Sequence, residues 1–229
     1  PLALMPEEGP PAAAKRPHGP VTPLPTAGGL PAMLTPAVVM LTVFFTLLSL
    51  STGGVQNFSV VALAGVHDVS FAAATAALTA WLALSALGVL AGGIVADRTR
   101  RHGEVAALGF GGTAALVLLV ALVPMPDLAL AAALGLAGFL AGMIMPSRDM
   151  LVRAAAPPGA TGRVFGVVTT GFNIGGALGP VLYGWLMDHG LPRAVFLAAV
   201  GFMVLTMALA LASEHGRRRR SRAAAAPAE

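Results

Sequence analysis

The stretch Gly92-Gly-Ile-Val-Ala-Asp97-Arg98-Thr-Arg-Arg101 ends one long apolar run in a cluster of basic residues, and another apolar run follows it. Basic residues stay on the cytoplasmic side of a membrane, so the cluster predicts a cytoplasmic loop. All but one of the 14 Lys and Arg residues lie before the first apolar run, after the last, or in every second connection, and Arg193 is the exception. This alternation predicts an even number of membrane spans with both chain ends in the cytoplasm.

The composition is that of a membrane protein. Hydrophobic residues make up 56% of the chain and charged residues 10%, whereas soluble domains carry about 25% charged residues. The net charge of +4 could suggest nucleic acid, but the basic residues lie in short loops and a tail and form no basic face, so we expect no nucleic-acid partner. The absence of cysteine excludes disulfides, thiolate metal sites and thiol nucleophiles. We predict neither a metal nor a cofactor.

Six segments are long and apolar enough to span a membrane, which takes about 20 residues for a core of about 30 Å. The predicted spans are residues 36–64, 70–96, 104–123, 127–150, 162–187 and 192–213. Each must be helical, because open strands would leave backbone groups unpaired in lipid. Pro36 suits a first helical turn and Ser70 an N-cap. The sequence therefore predicts an all-α membrane protein with six transmembrane helices.

The two ends of the chain differ from the spans. Residues 1–35 are rich in proline and too weakly apolar to pack, so we predict a disordered cytoplasmic linker. Residues 214–229 contain a run of arginines and predict a basic cytoplasmic tail. Because the chain begins at Pro1 inside this linker-like stretch, we expect it to be a piece of a longer protein.

Small and polar residues distinguish the spans from one another. The third and sixth spans are plainly apolar and predict helices that face lipid, whereas small residues four apart form a flat stripe that lets two helices approach closely. We predict helix packing by such residues of the second and fifth spans, namely Gly88, Gly92, Gly171, Gly175, Gly179 and Pro180. The first span instead carries hydrogen-bonding side chains, including Ser49, Thr52, Gln56 and Asn57.

The opening stretch resembles the loop motif of the major facilitator superfamily, which runs Gly, three residues, Asp, a basic residue, any residue, Gly and two basic residues. The matching residues are Gly93, Asp97, Arg98 and Arg101. Arg100 stands where the family has glycine. The loop lies between the second and third helix of a six-helix half, as it does here. The run from Gly162 to Asp188 also resembles the penultimate helix of such a half.

The resemblance implies the C-terminal six-helix half of a twelve-helix transporter in the cytoplasmic (inner) membrane. Its implied activity is secondary active transport of a small solute by alternating access, in the direction of efflux of a drug-like or metabolite substrate. Its implied partners are the N-terminal six-helix half, the lipid bilayer, the solute and, for proton-coupled transport, a proton. In the family arrangement the first and fourth helices line the cavity, the second and fifth lie between the halves, and the third and sixth lie outside.

The motif residues have two interpretations. Gly93, Asp97, Arg98 and Arg101 are candidates for a gate, in which the carboxylate pairs with a basic group and holds the cytoplasmic side closed in one state. The alternative is a basic loop that only orients the chain in the membrane, with Asp97 solvated. The Gly-Pro stripe of the fifth span is similar to a motif of drug–proton antiporters that lies in the other half of those proteins, so we prefer helix packing as its explanation.

The polar residues of the spans also have alternatives. Ser49, Thr52, Gln56 and Asn57 are candidates for the wall of a substrate cavity, and the two amides could equally make interhelical hydrogen bonds. Asn173 is expected to be structural. Arg148 and Asp149 are interpreted as a pair at the membrane boundary rather than as substrate ligands.

The titratable residues exclude some chemistry. All 10 acidic residues and all 5 histidines lie in linkers, loops or helix ends. A proton-coupled protein would therefore carry its coupling carboxylate in the other half. No Gly-x-Ser-x-Gly or His-Glu-x-x-His motif occurs, so we predict no catalytic residues. The competing functions are a six-span homodimeric channel or scaffold and an intramembrane enzyme.

Overall fold

The computed structural model describes residues 35–99, 101–156 and 159–225. Its elements are α1 (Pro36–His67), α2 (Phe71–Arg98), α3 (His102–Leu122), α4 (Asp127–Ala155), α5 (Thr161–Asp188) and α6 (Pro192–Ala225). All six helices contain a segment long and apolar enough to cross a membrane, and the described residues contain no strand. The predicted all-α membrane fold is confirmed.

Local capping chemistry sets the helix ends. The Thr35 hydroxyl accepts a hydrogen bond from the Val38 amide at 3.3 Å, and the Ser70 hydroxyl accepts one from the Ala73 amide at 3.2 Å. These bonds satisfy amides that have no partner within the helix. At the other end of α1, Asp68 adopts a left-handed conformation with φ of 53° and stops the helix.

Some helices run further than the apolar segments that predicted them. The first ends at His67 rather than residue 64, the fourth at Ala155 rather than residue 150, and α6 continues to Ala225 without a break at 213. Apolar content ends where lipid ends, but a helix continues until a cap stops it. Residues 1–34 and 226–229, which include nearly all of the predicted linker and the last part of the tail, lie outside the described residues.

The most extensive helix contacts link the helices in the order α2, α4, α3, α6, α1 and α5. A smaller contact joins α1 to α2. The two end helices are the most exposed: 17% of the most apolar window of α2 and 28% of that of α5 are buried, against 50% for α3. The sequence-based interpretation of α3 as a plain lipid-facing support is therefore incomplete, because α3 packs between α4 and α6.

Glycines bring α2 and α4 into close contact. A Cβ at Gly88 would overlap the carbonyl oxygen of Phe139, and a Cβ at Gly92 would overlap that of Met143. The contact is reciprocal, because Gly138 and Gly142 of α4 lie equally close to backbone atoms of α2. Helix packing was predicted for the glycines of α2 but not for those of α4, although Gly138 and Gly142 have the same spacing of four.

A second glycine contact joins α1 and α5. A Cβ at Gly171 would overlap the carbonyl oxygen of Thr42, and one at Gly175 would overlap that of Thr46. Gly179 is buried, but a Cβ there would meet the Tyr183 ring at an ordinary distance of 3.9 Å. Pro180 is exposed. The close approach of the α5 backbone to the α1 backbone therefore ends before Gly179.

Candidate functional site

A cleft of about 270 Å³ opens between four helices of the bundle. Its lining residues are Phe45, Leu48, Thr52 and Gln56 of α1, Trp81 and Ser85 of α2, Ala141, Gly142, Ile144, Met145 and Arg148 of α4, and Thr169 and Phe172 of α5. The α1 residues recur every three or four positions, and so do Ala141, Ile144 or Met145, and Arg148 of α4, so each set follows one side of its helix. Thr52 lies near the middle of α1, so the cleft extends to the mid-length of that helix.

The four cavity candidates of the first span divide into two pairs. Thr52 and Gln56 line the cleft, whereas Ser49 and Asn57 are not among its lining residues. Ser49 is buried against α5, where a Cβ at Gly175 would lie 2.7 Å from the Ser49 Cβ. Asn57 is exposed beside the cleft. Adjacent residues of a helix point about 100° apart, which explains why Gln56 and Asn57 differ.

Arg148 lines the cleft, although its sequence context predicted a pair with Asp149 at the membrane boundary. The predicted pair with Asp149 is present, since Arg148 Nε donates to Asp149 Oδ1 at 3.1 Å. The Arg148 side chain is only 19% exposed, however, and its guanidinium lies 5.1 Å from the centroid of the Phe45 ring. Its spacing from Ile144 and Ala141 puts it on the cleft-facing stripe of α4, and this spacing is visible in the sequence.

The remaining polar groups of the cleft are neutral. Thr52 donates its hydroxyl proton to Leu48 O at 2.9 Å, and Ser85 donates its proton to Leu82 O at 3.2 Å. Trp81 is completely buried, and its indole Nε1 donates to no atom of the described residues. Arg148 is thus the one charged residue in the described lining of the cleft.

The motif loop between α2 and α3 is exposed. Within the described residues, Asp97 pairs with neither Arg98 nor Arg101, and Arg101 instead forms an ion pair with Glu104 at 3.5 Å. Gly93 is half-buried, with open space where a Cβ would lie. Arg100 lies outside the described residues. The structure therefore places the four motif residues together at one end of α2 without the carboxylate–arginine pair of a closed gate.

The described residues contain no group of three His, Asp or Glu side chains that could hold a metal ion.

Two comparisons with known proteins agree with this architecture. The family model of the Major Facilitator Superfamily matches residues 39–228. The chain is also 33% identical over 129 residues to the multidrug efflux pump LfrA of Mycolicibacterium smegmatis (strain ATCC 700084 / mc(2)155). That alignment covers 56% of this chain and 25% of the pump. With six membrane-spanning helices and a family match over most of its length, the chain is a multi-pass membrane protein that belongs to the major facilitator superfamily, a family of transporters rather than enzymes.

Proposed function

We propose that this chain is one half of a transporter that exports a small solute across the cytoplasmic membrane by alternating access. The observation that carries the proposal is the cleft, in which Thr52, Gln56 and Arg148 share a mainly apolar lining contributed by four membrane-spanning helices. Polar and ionisable side chains inside a membrane are costly and mark solute pathways. The similarity to an efflux pump over 129 residues supports the direction of transport.

A second six-helix half is part of this proposal, and the exposed face of α5 supports it. Thr170 and Asn173 are exposed on that face. An amide that faces hydrocarbon has no hydrogen-bond partner, which costs several kcal/mol. Another polypeptide or a water-filled cavity would supply partners. We infer that the N-terminal half of the same protein covers α2 and α5 and completes the cleft, and that one half rocks on the other around the solute.

The proposed orientation can be tested by cysteine labelling, because the chain has no cysteine of its own. We expect Asp68→Cys, in the α1–α2 connection, to react with a membrane-impermeant maleimide in intact cells. Thr99→Cys, in the α2–α3 connection, should react only after the membrane is permeabilised, because the basic residues beside it favour the cytoplasm. Labelling of Thr99→Cys in intact cells would show that the orientation is the reverse.

Transport itself is tested with the full-length protein in a host that lacks its own efflux pumps. We expect it to lower the accumulation of at least one dye from a set of anionic, neutral and cationic dyes. In the proposal Asp97 pairs with a basic residue of its loop in one state of the cycle, so Asp97→Asn shifts the balance of states. The loss of an exposed ion pair is worth up to about 1 kcal/mol, and we expect a transport rate several-fold lower.

The matched control is Asp188→Asn, which removes an exposed carboxylate at the last residue of α5. It should leave the transport rate within twofold of the wild type. An unchanged rate in Asp97→Asn would contradict the gate but not transport. If the full-length protein lowers the accumulation of no dye in the set, the proposed transport function is wrong.

A further inference from the structure

We propose that the cleft binds the anionic end of an amphipathic solute, with Arg148 as the anion-binding residue. The inference rests on the proposed transport function and names the chemical class of its substrate. That class is an aromatic or aliphatic body that carries a carboxylate, sulfonate or phosphate group.

The charge of the described cleft lining favours an anion. Arg148 is the only charged residue of its described lining, and no Asp or Glu shares that lining. Asp149 binds Arg148 through Nε, but the Asp149 side chain is 44% exposed and lies outside the lining. Within the described lining, a cationic solute would therefore meet the guanidinium and no carboxylate, whereas an anion would meet a guanidinium whose paired carboxylate lies outside the lining.

The terminal nitrogens of the Arg148 guanidinium suit an anionic ligand. A guanidinium has five N–H donors in a planar fork that matches a carboxylate or phosphate. Asp149 accepts from Nε, and the terminal nitrogens of Arg148 donate to no atom of the described residues. The Phe45 ring lies 5.1 Å from the guanidinium carbon and holds the group in place from one side. The terminal edge of the fork is thus positioned and available.

Trp81 supplies an independent observation. This side chain lines the cleft and is completely buried, yet its indole N–H has no hydrogen-bond acceptor among the described residues. A buried donor without a partner is costly, and an acceptor oxygen of a solute that reached the indole N–H would satisfy it. The amide of Gln56 adds another donor on the opposite helix. Donor groups on three helices therefore favour a ligand that is rich in acceptor oxygens.

The rest of the lining selects the body of the ligand. Phe45, Leu48, Ile144 and Phe172 give the cleft apolar and aromatic walls. A volume of about 270 Å³ is close to the lower limit for small-molecule pockets, about 300 Å³. It accommodates the charged end of a solute and one or two rings, while the rest of the solute would extend toward the second half.

The test uses three probes with one body and different charges: 2-naphthoate, 2-naphthamide and 2-naphthylmethylammonium. Their equilibrium binding is measured on the purified full-length protein, and their transport in proteoliposomes. We expect naphthoate to bind at least about tenfold more tightly than the ammonium probe. Arg148→Gln should weaken naphthoate binding about ten- to a hundredfold, which is the range for hydrogen bonds to a charged group, and should change naphthamide binding less than twofold.

Three further variants separate the role of Arg148 from general damage. Arg153→Gln removes an exposed arginine five residues further along the same helix, outside the cleft, and should leave all three affinities unchanged. Arg148→Lys keeps the charge but loses the fork, so naphthoate affinity should fall to an intermediate value. Trp81→Phe keeps an aromatic ring and removes the indole N–H donor, and it should lower the affinity for naphthoate several-fold. If Arg148→Gln does not fold, the naphthoate affinities of Arg148→Lys and Trp81→Phe test the anion site instead.

Several results would overturn the inference. One is an equal loss of affinity for all three probes in Arg148→Gln. Another is tighter binding of the ammonium probe than of naphthoate, and the last is no measurable naphthoate binding to the wild type. The transport assay in proteoliposomes distinguishes failure of the anion site from failure of the proposed transport function. Naphthoate binding that depends on Arg148 without transport of any probe would contradict the transport function alone. Transport without charge preference would contradict the anion site alone.

Discussion

Gly142→Leu is expected to prevent α2 and α4 from packing and to yield protein that is unfolded or aggregated on extraction from the membrane. A Cβ at Gly142 would already overlap the carbonyl oxygen of Ser85, and a Cβ at Gly138 would overlap that of Trp81. Helices in lipid associate through close packing rather than through a hydrophobic force, so separating these two backbones removes the main source of their stability.

The smaller variant Gly142→Ala gives a graded version of the same experiment. Alanine favours a helix by about 1 kcal/mol over glycine, yet overpacking of a tight contact costs about 1–3 kcal/mol or more. We expect the overlap to dominate and the free energy of unfolding to fall. The measurement is the Tm of the detergent-solubilised protein, together with the fraction that elutes as a single species in size-exclusion chromatography.

Gly201 provides the matched control. It lies within α6, is exposed, and has open space where a Cβ would be. Gly201→Ala and Gly201→Leu should therefore leave Tm unchanged or raise it slightly, because only the helix propensity changes. A Tm for Gly142→Ala equal to that of Gly201→Ala would show that α2 and α4 are not in close contact.

Tyr183→Ala is the second variant for which we expect a large loss of stability. Tyr183 is completely buried, and its hydroxyl donates to Leu50 O at 2.8 Å, which links α5 to α1. Its ring also packs against Phe58, with centroids 5.7 Å apart. Truncation of a buried aromatic side chain to alanine costs about 3–5 kcal/mol. Tyr183→Phe, which removes only the hydrogen bond, should cost about 1 kcal/mol.

Gly54 makes this prediction more specific. A Cβ at Gly54 would lie 2.6 Å from the Tyr183 hydroxyl oxygen and would overlap the ring. Gly54→Ala should therefore destabilise the wild type but stabilise the Tyr183→Ala background, where the ring is gone and the methyl group fills part of the space. Residues in contact couple by about 0.5–3 kcal/mol. Additive changes in Tm across the four proteins of this double-mutant cycle would contradict the contact.

The candidate cleft could be predicted only in part. Thr52 and Gln56 stood out because hydroxyl and amide groups are rare in apolar helices, and both line the cleft. Ser49 and Asn57 carry the same chemistry, yet the rotation of α1 turns Ser49 toward Gly175 of α5 and leaves Asn57 outside the lining. Composition identifies such residues but does not say how a helix is rotated about its own axis.

Arg148 shows a different limit. Its position beside Asp149, near the end of an apolar run, favours an ion pair at the membrane boundary, and that ion pair is present. Its place in the cleft depends on Phe45, which lies more than a hundred residues earlier in the chain and meets it because α1 and α4 both border the opening. The spacing along α4 shows which stripe Arg148 shares, but its contact with Phe45 leaves no local signal.

The sequence by itself determined the number of helices, their approximate ends and the family of the protein, because these follow from the length of apolar runs, the capping residues and a short motif. The tertiary structure decided which faces meet. It set Gly88 and Gly92 of α2 against the backbone of α4, where two glycines that were not foreseen approach α2 in turn, and it turned Arg148 toward the cleft. The physical reason is that a helix forms through hydrogen bonds between residues four apart, whereas its rotation and its neighbours depend on how all six helices pack together.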